Sequence, residues 1–333
     1  MLDKRKRGKI YLTTACVILC LSCFLIGCTG QDEKNTKIIR TEIPYPAEEF
    51  VITNLVYEED TGVQVAGFER TSPTEVMLSA WIYTEEKEWV RRFERRFFCN
   101  NKQRIEADMY WDSGQGFLLP YTWNEGDAMD DSLVYEVYYV SSNGETMALD
   151  ESVFSSMSNA IFLPGRVAYW IDNPEFSLMR WNAVKNGAPK KIELTSVKQV
   201  DKMAYANGKL YILGFEGDAT IYDITTEKEL PASPSLTQCS EDVDLAGLAA
   251  NEFIFGVFQG EETELLFYID ESGIYKYENG EKIQLLDGSS AGFGAEPRFD
   301  NIAVKNQNTI ILDYFNIEGA EAELKLCIYT FKE

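Results

Sequence analysis

The chain has 333 residues, of which 45% are hydrophobic, and a formal net charge of −23 at pH 7. This acidic excess disfavours binding to nucleic-acid phosphates, so we expect no nucleic-acid partner. The sequence contains no histidine, which excludes Ser-His-Asp and Cys-His nucleophile systems and histidine-ligated catalytic zinc. An enzyme built on this chain would have to use carboxylates, tyrosine, lysine, arginine or serine.

The first 27 residues have the pattern of an export signal. Five basic residues lie between positions 4 and 9, and an uncharged apolar stretch follows from Ile10 to Ile26, as in secretory signals. The stretch ends in Leu25-Ile26-Gly27-Cys28, which resembles a bacterial lipobox. The resemblance implies lipidation of the Cys28 thiol and cleavage of the chain before it. The alternative is an uncleaved signal anchor, although about 17 apolar residues are short for a membrane span.

The residues after the signal fix the expected location. Positions 28–36 are polar and lack periodicity, so they predict a flexible tether. Lipid chains on Cys28 would hold the protein at the membrane, because each buried methylene contributes about 0.8 kcal/mol. We therefore predict an extracytoplasmic protein that contacts the membrane through its lipid anchor only. A lipidated cysteine followed by Thr29 suits a Gram-positive cell surface.

Three cysteines remain beyond the signal and the anchor: Cys99, Cys239 and Cys327. They allow one disulfide at most, which rules out a disulfide-rich scaffold. Whether any pair is oxidised stays open. The favoured interpretation is that each is a small buried apolar side chain.

A hairpin signal recurs along the chain after aromatic-rich strands. Asn143-Gly144, Asn186-Gly187 and Asn279-Gly280 each separate two runs of alternating polar and apolar residues, which is a strong hairpin pattern. At the last of these we predict a three-residue loop, since that register would pair Tyr275 with Ile283 or Leu285. Gly280 is expected to adopt a left-handed conformation in this loop.

Further turns near Glu85 and Thr226 extend the series, with spacings of about 40–60 residues. Two more apolar strands precede each hairpin, and four strands per 40–50 residues is the period of a propeller blade. We predict an all-β fold, a β-propeller of about six four-stranded blades that forms a single domain over residues 37–333. Residues 36–44 are expected to supply the outer strand of the last blade and so close the ring.

Some features of this fold are left open by the sequence. Five or seven blades are possible counts, and packed β-sandwiches are the rival architecture. Residues 85–98 are interpreted as a strand, with a partly helical segment as the alternative. The pattern resembles the broad group of bacterial secreted and lipid-anchored β-propellers, and loosely the WD-repeat and quinoprotein-type propellers. The Trp-Asp pair of WD repeats occurs once, at Trp111-Asp112, and the sialidase Asp-box is missing.

The candidate ligand-binding residues are the aromatics Trp111, Tyr121 and Trp123. They lie beside turn signals, and rings at the mouth of a propeller can stack on sugars or clamp peptides. Packing between blades is the competing interpretation. We predict no catalytic residue, no cofactor and no metal site.

Two charged segments are candidates for other roles. Glu125, Asp127, Asp130 and Asp131 form an acidic cluster without the spacing of a calcium loop, which favours a solvated loop. The run Arg91, Arg92, Arg95 and Arg96 is either balanced by neighbouring glutamates or forms a docking patch for an anionic partner.

Taken together, these features predict a non-catalytic binding or scaffold module. It would bind a protein or carbohydrate ligand at one face of the propeller. A carbohydrate-active hydrolase or lyase using Asp, Glu and Tyr is one alternative, because such chemistry needs no histidine. The other is an accessory propeller of a solute-binding transport system.

Overall fold

The structure is a computed structural model that describes residues 37–112, 114–124, 134–149, 157–163, 165–172, 175–182, 188–243, 252–261, 263–318 and 321–332. The signal segment 1–27, the tether with Cys28, and the acidic cluster around Asp127 lie outside these residues. Among the described residues, no helix has the length and apolar character needed to cross a bilayer.

The described chain consists almost entirely of strands. In the first half they are β1 (Lys37–Ile43), β2 (Phe50–Glu58), β3 (Gly62–Ser72), β4 (Glu75–Tyr83), β5 (Trp89–Phe98), β6 (Gln103–Asp112), β7 (Gln115–Asn124), β8 (Val134–Tyr135), β9 (Tyr138–Val140), β10 (Thr146–Ala148), β11 (Met157–Leu163), β12 (Val167–Asp172) and β13 (Ser177–Asn182). In the second half they are β14 (Lys190–Lys191), β15 (Val200–Ala206), β16 (Lys209–Gly214), β17 (Ala219–Asp223), β18 (Lys228–Pro231), β19 (Phe253–Gln259), β20 (Glu264–Asp270), β21 (Gly273–Glu278), β22 (Glu281–Asp287), β23 (Pro297–Asn306), β24 (Thr309–Glu318) and β25 (Glu321–Lys332).

These strands form six antiparallel sheets, which are the blades of a β-propeller. Blades 1, 3, 4 and 5 contain β2–β5, β11–β14, β15–β18 and β19–β22, each in chain order from the inner to the outer strand. Blade 2 has the order β6-β7-β9-β10, with β8 also paired to β7. The predicted fold class and the count of six blades are both confirmed.

Blade 6 joins the two ends of the chain. Its order is β23-β24-β25-β1, so the first strand pairs with the last as the outer strand of the sheet. Two hydrogen bonds hold the segment around β1 in place: the Arg40 guanidinium donates to the Tyr314 hydroxyl at 3.2 Å, and the Trp89 indole of β5 donates to the backbone carbonyl of Pro44, just after β1. The predicted closing role of the N-terminal segment is therefore confirmed.

The hydrophobic core is divided among the seams between blades. Leu78 of blade 1 packs with Met109 and Trp111 of blade 2, and Ile311 of blade 6 packs with Ile52 of blade 1. Alternation along each strand sends successive side chains into the two neighbouring seams. For this reason, most strands carry apolar residues on both faces.

The prediction for the last Asn-Gly hairpin was half right. Gly280 has φ of 83°, in the left-handed region as expected. The three-residue loop was wrong, because Tyr277 lies opposite Lys282 and Glu278 opposite Glu281, which makes a two-residue turn. The residue Leu285 is bulged between the pairs of Ile274 and Tyr275.

Three other expectations concern local structure. Residues Trp89–Phe98 form a strand, so the helical alternative is excluded. Cys99, Cys239 and Cys327 are all free thiols; the last two are buried and Cys99 is half-buried. Two short helices were not foreseen: α1 (Pro234–Asp242), capped by the Ser233 side chain, and α2 (Gly288–Ala291), capped by Asp287.

Candidate functional site

Four of the six inner strands are interrupted by a β-bulge near the centre of the ring. The bulges lie at Thr53 in β2, at residues 159–160 in β11, at Asp201 in β15 and at Asp300 in β23. A bulge re-aims the side chains on either side of it and is common near functional sites. In β11 the bulge holds Asn159 at φ 47°, a left-handed conformation that asparagine tolerates better than most residues.

The bulges direct polar side chains to the next blade. In β2 the Thr53 hydroxyl accepts from the Met109 N–H and donates to the Met109 carbonyl of β6, each at 2.9 Å. Asn54 accepts from the Trp111 N–H at 3.1 Å. These bonds satisfy backbone groups on the open edge of β6, which pairs with no strand of the described residues there.

Two further bulges make equivalent links. Asn301 of β23 donates to the Ile52 carbonyl of β2 at 3.3 Å. The Lys202 ammonium of β15 lies 5.0 Å from the centre of the Phe253 ring of β19, a favourable cation–π geometry. Polar residues beside the bulges therefore connect neighbouring inner strands, whose backbones do not pair with one another.

The inner strands surround a central cavity of about 680 Å³ that is open to solvent. Its wall is formed mainly by the C-terminal halves of the inner strands and by the start of β7. Aromatic and amide residues are frequent on this wall, although the side chains of Trp111, Phe117, Tyr139 and Phe255 are buried in the core between blades. The aromatic ones are Tyr57, Tyr110, Trp111, Phe117, Tyr139, Phe162, Tyr205, Phe255 and Phe258, and the amides are Asn54, Gln115, Asn159, Asn207, Gln259 and Asn301.

Buried tyrosines hold two of the amides in place. Gln115 is hydrogen-bonded to the Tyr139 hydroxyl, and Gln259 to the Tyr211 hydroxyl, which also lies 3.1 Å from Glu264. Tyr139 and Tyr211 are themselves buried. A side chain fixed in this way loses little conformational entropy when it contacts a ligand. The cavity therefore carries preorganised polar groups on an aromatic wall, which is typical of ligand sites.

The charged groups on the cavity wall are mostly acidic. Glu58, Asp112 and Asp300 line the cavity together with one basic residue, Lys305. The Lys305 ammonium lies 4.8 Å from the centre of the Tyr57 ring. Carboxylates that line a concave space raise the local concentration of cations, so they favour positive charge there.

Asp300 is a carboxylate of the cavity wall whose pKa is raised. It is exposed to the cavity, but the surrounding walls exclude enough water to raise its pKa to about 6, against a smaller opposing effect of Lys202. Lys202 in turn has a lowered pKa because of burial, offset by Asp201 and Asp300. Asp300 can therefore exchange a proton near neutral pH.

The structure separates the three aromatic residues that the sequence analysis selected. Trp111 lines the cavity and is 6% exposed, with its ring stacked on Phe93 at 5.2 Å. Tyr121 and Trp123 lie together, 6.2 Å apart between ring centres. Trp123 of β7 pairs with Arg104 of β6, and Arg104 lies seven residue pairs from Trp111 along the β6–β7 hairpin. This spacing separates Trp111 from Trp123 by roughly 24 Å. Tyr121 and Trp123 are not on the cavity wall.

Several wall residues were missed by the sequence analysis. Tyr57, Tyr205 and Asp300 lie on three different inner strands, and nothing in their local sequence marks them as facing one space. A weak signal does exist: the triplets Ile52-Thr53-Asn54 and Phe299-Asp300-Asn301 share an apolar, polar, amide order at the bulges.

The arginine run lies on β5, the outer strand of blade 1. Arg91 pairs with Glu94 at 2.6 Å, and Arg96 pairs with Glu75 at 3.1 Å. Arg95 stacks over the rings of Phe97 and Tyr138. These contacts favour charge balance over a free docking patch.

Comparison with known proteins assigns neither a family nor an activity to this chain. No protein-family model matches the chain, and no curated protein matches it. Similar solved structures include a catalytically inactive virginiamycin B lyase from Staphylococcus aureus with quinupristin (8% identity, 88% of this chain and 99% of that chain, TM-score 0.46). A second is Trypanosoma rangeli sialidase (9% identity, 88% of this chain and 59% of that chain, TM-score 0.48). A third is YCF48 bound to D1 peptide (10% identity, 91% of this chain and 97% of that chain, TM-score 0.46).

Proposed function

We propose that this protein is an exported, lipid-anchored propeller that binds a ligand in its central cavity without changing it chemically. Cys28 would carry the lipid, and residues 28–36 would tether the propeller to the outer face of the cytoplasmic membrane. The observation that carries the binding role is the cavity itself: about 680 Å³ of space with aromatic walls and fixed amides. Its ligand would be a segment of a protein or a carbohydrate.

The test uses binding to the mature protein, with glycan and peptide arrays as the source of ligands. Tyr205 is 41% exposed on the cavity wall, so Tyr205→Ala should weaken binding without unfolding the protein. Phe98→Ala is the matched control, because Phe98 is an exposed aromatic on the outer strand β5. Equal loss of binding in the two variants, or no loss in either, would contradict a cavity site.

Asp300 supports one alternative function. A carboxyl group with a pKa near 6 in a cavity that also holds Glu58 and Asp112 can serve as a general acid for glycoside cleavage. A hydrolysis screen over the same glycans distinguishes this role from binding alone. Turnover that is lost in Asp300→Asn would establish the hydrolase and overturn the non-catalytic proposal.

A further inference from the structure

The residues of the cavity wall indicate a narrower class of ligand than the proposed function does. This inference rests on that proposed function. Among the described residues of the wall, three are acidic and one is basic, within a chain of net charge −23. Such a field repels anionic sugars and acidic proteins, and it raises the local concentration of cations. The charge of the wall therefore selects a positively charged or neutral ligand.

The aromatic rings of the wall favour a positively charged ligand over a neutral one. A ring attracts an ammonium or guanidinium group placed over its face by about 0.5–2 kcal/mol. The protein already uses this contact on the wall itself, where Lys305 lies over Tyr57. Tyr205 offers an exposed ring in the same cavity. The wall thus combines rings with carboxylates, the two groups that bind lysine and arginine side chains.

The polar groups of the wall match a peptide backbone. Carboxamides such as Gln115 and Asn207 can donate and accept hydrogen bonds at once, as a peptide unit does. Within the part of the chain that the structure describes, the inner strands also have an edge that pairs with no other strand. Such an edge can pair with an extended segment. Parts of this edge are already occupied, at β6 by Thr53 and Asn54 and at β2 by Asn301. Pairing is therefore expected on the remaining inner strands.

We propose that the central cavity binds a basic peptide segment, whose lysine or arginine side chains lie among Asp300, Asp112 and the aromatic rings. The backbone of the segment contacts the amides of the wall. Free polyamines carry the same ammonium groups as lysine side chains. The test therefore includes a polyamine as a separate candidate ligand.

The experiment measures binding to the whole mature protein by calorimetry in low and physiological salt. The probes are a capped tetralysine peptide, spermidine, a capped tetraglutamate peptide and cellotetraose. We expect tetralysine to bind one site, more tightly than spermidine, and tetraglutamate not to bind. Asp300→Asn and Asp112→Asn should each reduce the affinity for tetralysine about tenfold, which corresponds to ~1.4 kcal/mol.

Two further variants separate a local site from a general effect of charge. Glu281→Gln removes one carboxylate from the exposed outer strand β22, and it should leave the affinity within about twofold. Tyr205→Ala removes a ring and no charge, and it should reduce the affinity severalfold; it also serves if a carboxylate variant fails to fold.

Each remaining outcome has a defined consequence. Equal effects of Glu281→Gln and Asp300→Asn would mean diffuse attraction and overturn the proposal, as would tighter binding of spermidine than of tetralysine. Binding of cellotetraose that depends on Tyr205, without binding of tetralysine, would overturn the basic peptide and retain the cavity as the site. Absence of binding for all four probes would overturn the basic peptide, and the array comparison of Tyr205→Ala and Phe98→Ala would then decide the proposed function separately.

Discussion

The Tyr45 hydroxyl donates a hydrogen bond of 2.5 Å to Oδ1 of Asp313, across the seam that closes the propeller. Asn301 donates to the other carboxylate oxygen at 2.9 Å. Asp313 is 3% exposed on β24, the second strand of blade 6, whereas Tyr45 belongs to the segment between β1 and β2. Burial raises the pKa of Asp313 to about 7, although both hydrogen bonds lower it.

This raised pKa predicts how stability depends on pH. The folded state favours the protonated Asp313, whose unfolded pKa is about 3.9. Its contribution to stability is therefore full below about pH 4 and is lost as the pH rises to about 7. Asp313→Asn removes this titration, so the variant should gain about 2–4 kcal/mol relative to the wild type between pH 4 and pH 8. Urea unfolding at several pH values measures the difference.

Asp60→Asn is the control for this experiment, because Asp60 lies in an exposed turn between β2 and β3. Its profile should run parallel to that of the wild type. A constant difference between Asp313→Asn and the wild type from pH 4 to pH 8 would show that Asp313 keeps an ordinary acidity in the folded protein.

The hydrogen bonds by which Thr53 links blades 1 and 2 predict a loss of stability when the hydroxyl is removed. Thr53→Val keeps the shape of the side chain but leaves the Met109 N–H and carbonyl without the hydroxyl that bonds to both. Buried backbone groups that lose a partner cost about 1–3 kcal/mol, so we expect a loss of about 2–3 kcal/mol in unfolding free energy. Thr53→Ser retains the hydroxyl and should lose less than about 1 kcal/mol. Similar losses in both variants would assign the effect to packing.

The fold was predictable from sequence because each blade repeats the same strand and turn pattern. The register of one hairpin was not, and Ile283 explains the error. The predicted three-residue loop requires Ile283 or Leu285 to lie opposite Tyr275. Ile283 instead lies on the outer strand β22, is 39% exposed and faces Lys276. An outer blade strand has little core to bury, so its apolar residues do not determine its register.

The candidate site was harder to predict, since it exists only after the ring closes. Trp111 and Trp123 both lie beside turn signals, yet antiparallel pairing sends them to opposite ends of one hairpin. Asp300 and Asp201 occupy bulges that have no reliable sequence signature. The cavity gathers short segments from the six inner strands and from β7 and β9, and a single sequence does not reveal which strand of each blade is innermost.

The closing strand predicts a coupling between Arg40 and Gly292. Gly292 ends α2 at φ 84°, and a Cβ there would lie 2.2 Å from Nη1 of Arg40. Gly292→Ala should therefore cost about 1–2 kcal/mol for the left-handed backbone and about 1 kcal/mol more for displacing Arg40 from Tyr314. In an Arg40→Ala background the second cost should disappear, as measured by a double-mutant cycle.

Gly144→Ala provides the reference for the backbone cost alone. Gly144 has φ of 81°, and an added Cβ would meet no atom within 4 Å. Its cost should be the same with and without Arg40. If the cost of Gly292→Ala is also independent of Arg40, the guanidinium moves aside freely and does not stabilise the closure.

The proposed lipid anchor predicts the fate of the N-terminus. Cys28→Ser should abolish incorporation of labelled palmitate and release the protein from the membrane fraction, because no acyl chain remains to bury in the bilayer. Cys23→Ser changes another cysteine of the apolar segment and should leave both measurements unchanged. Mass spectrometry of the detergent-extracted protein checks the chemistry directly. An unmodified Cys28 still joined to Gly27 would favour the uncleaved signal anchor.

The separation of Trp111 from Tyr121 and Trp123 allows a decision between two places for ligand binding. A ligand in the central cavity contacts Tyr205 and not Trp123, since Trp123 is absent from the described cavity wall. Trp123→Ala should then leave the affinity unchanged, whereas Tyr205→Ala should weaken binding severalfold. Trp123 is half-buried next to Tyr121, so thermal unfolding must confirm that the variant is folded. The reverse result, with binding lost in Trp123→Ala alone, would move the site to the pair of Tyr121 and Trp123, two of the three aromatic residues selected from the sequence. It would leave the cavity without a ligand.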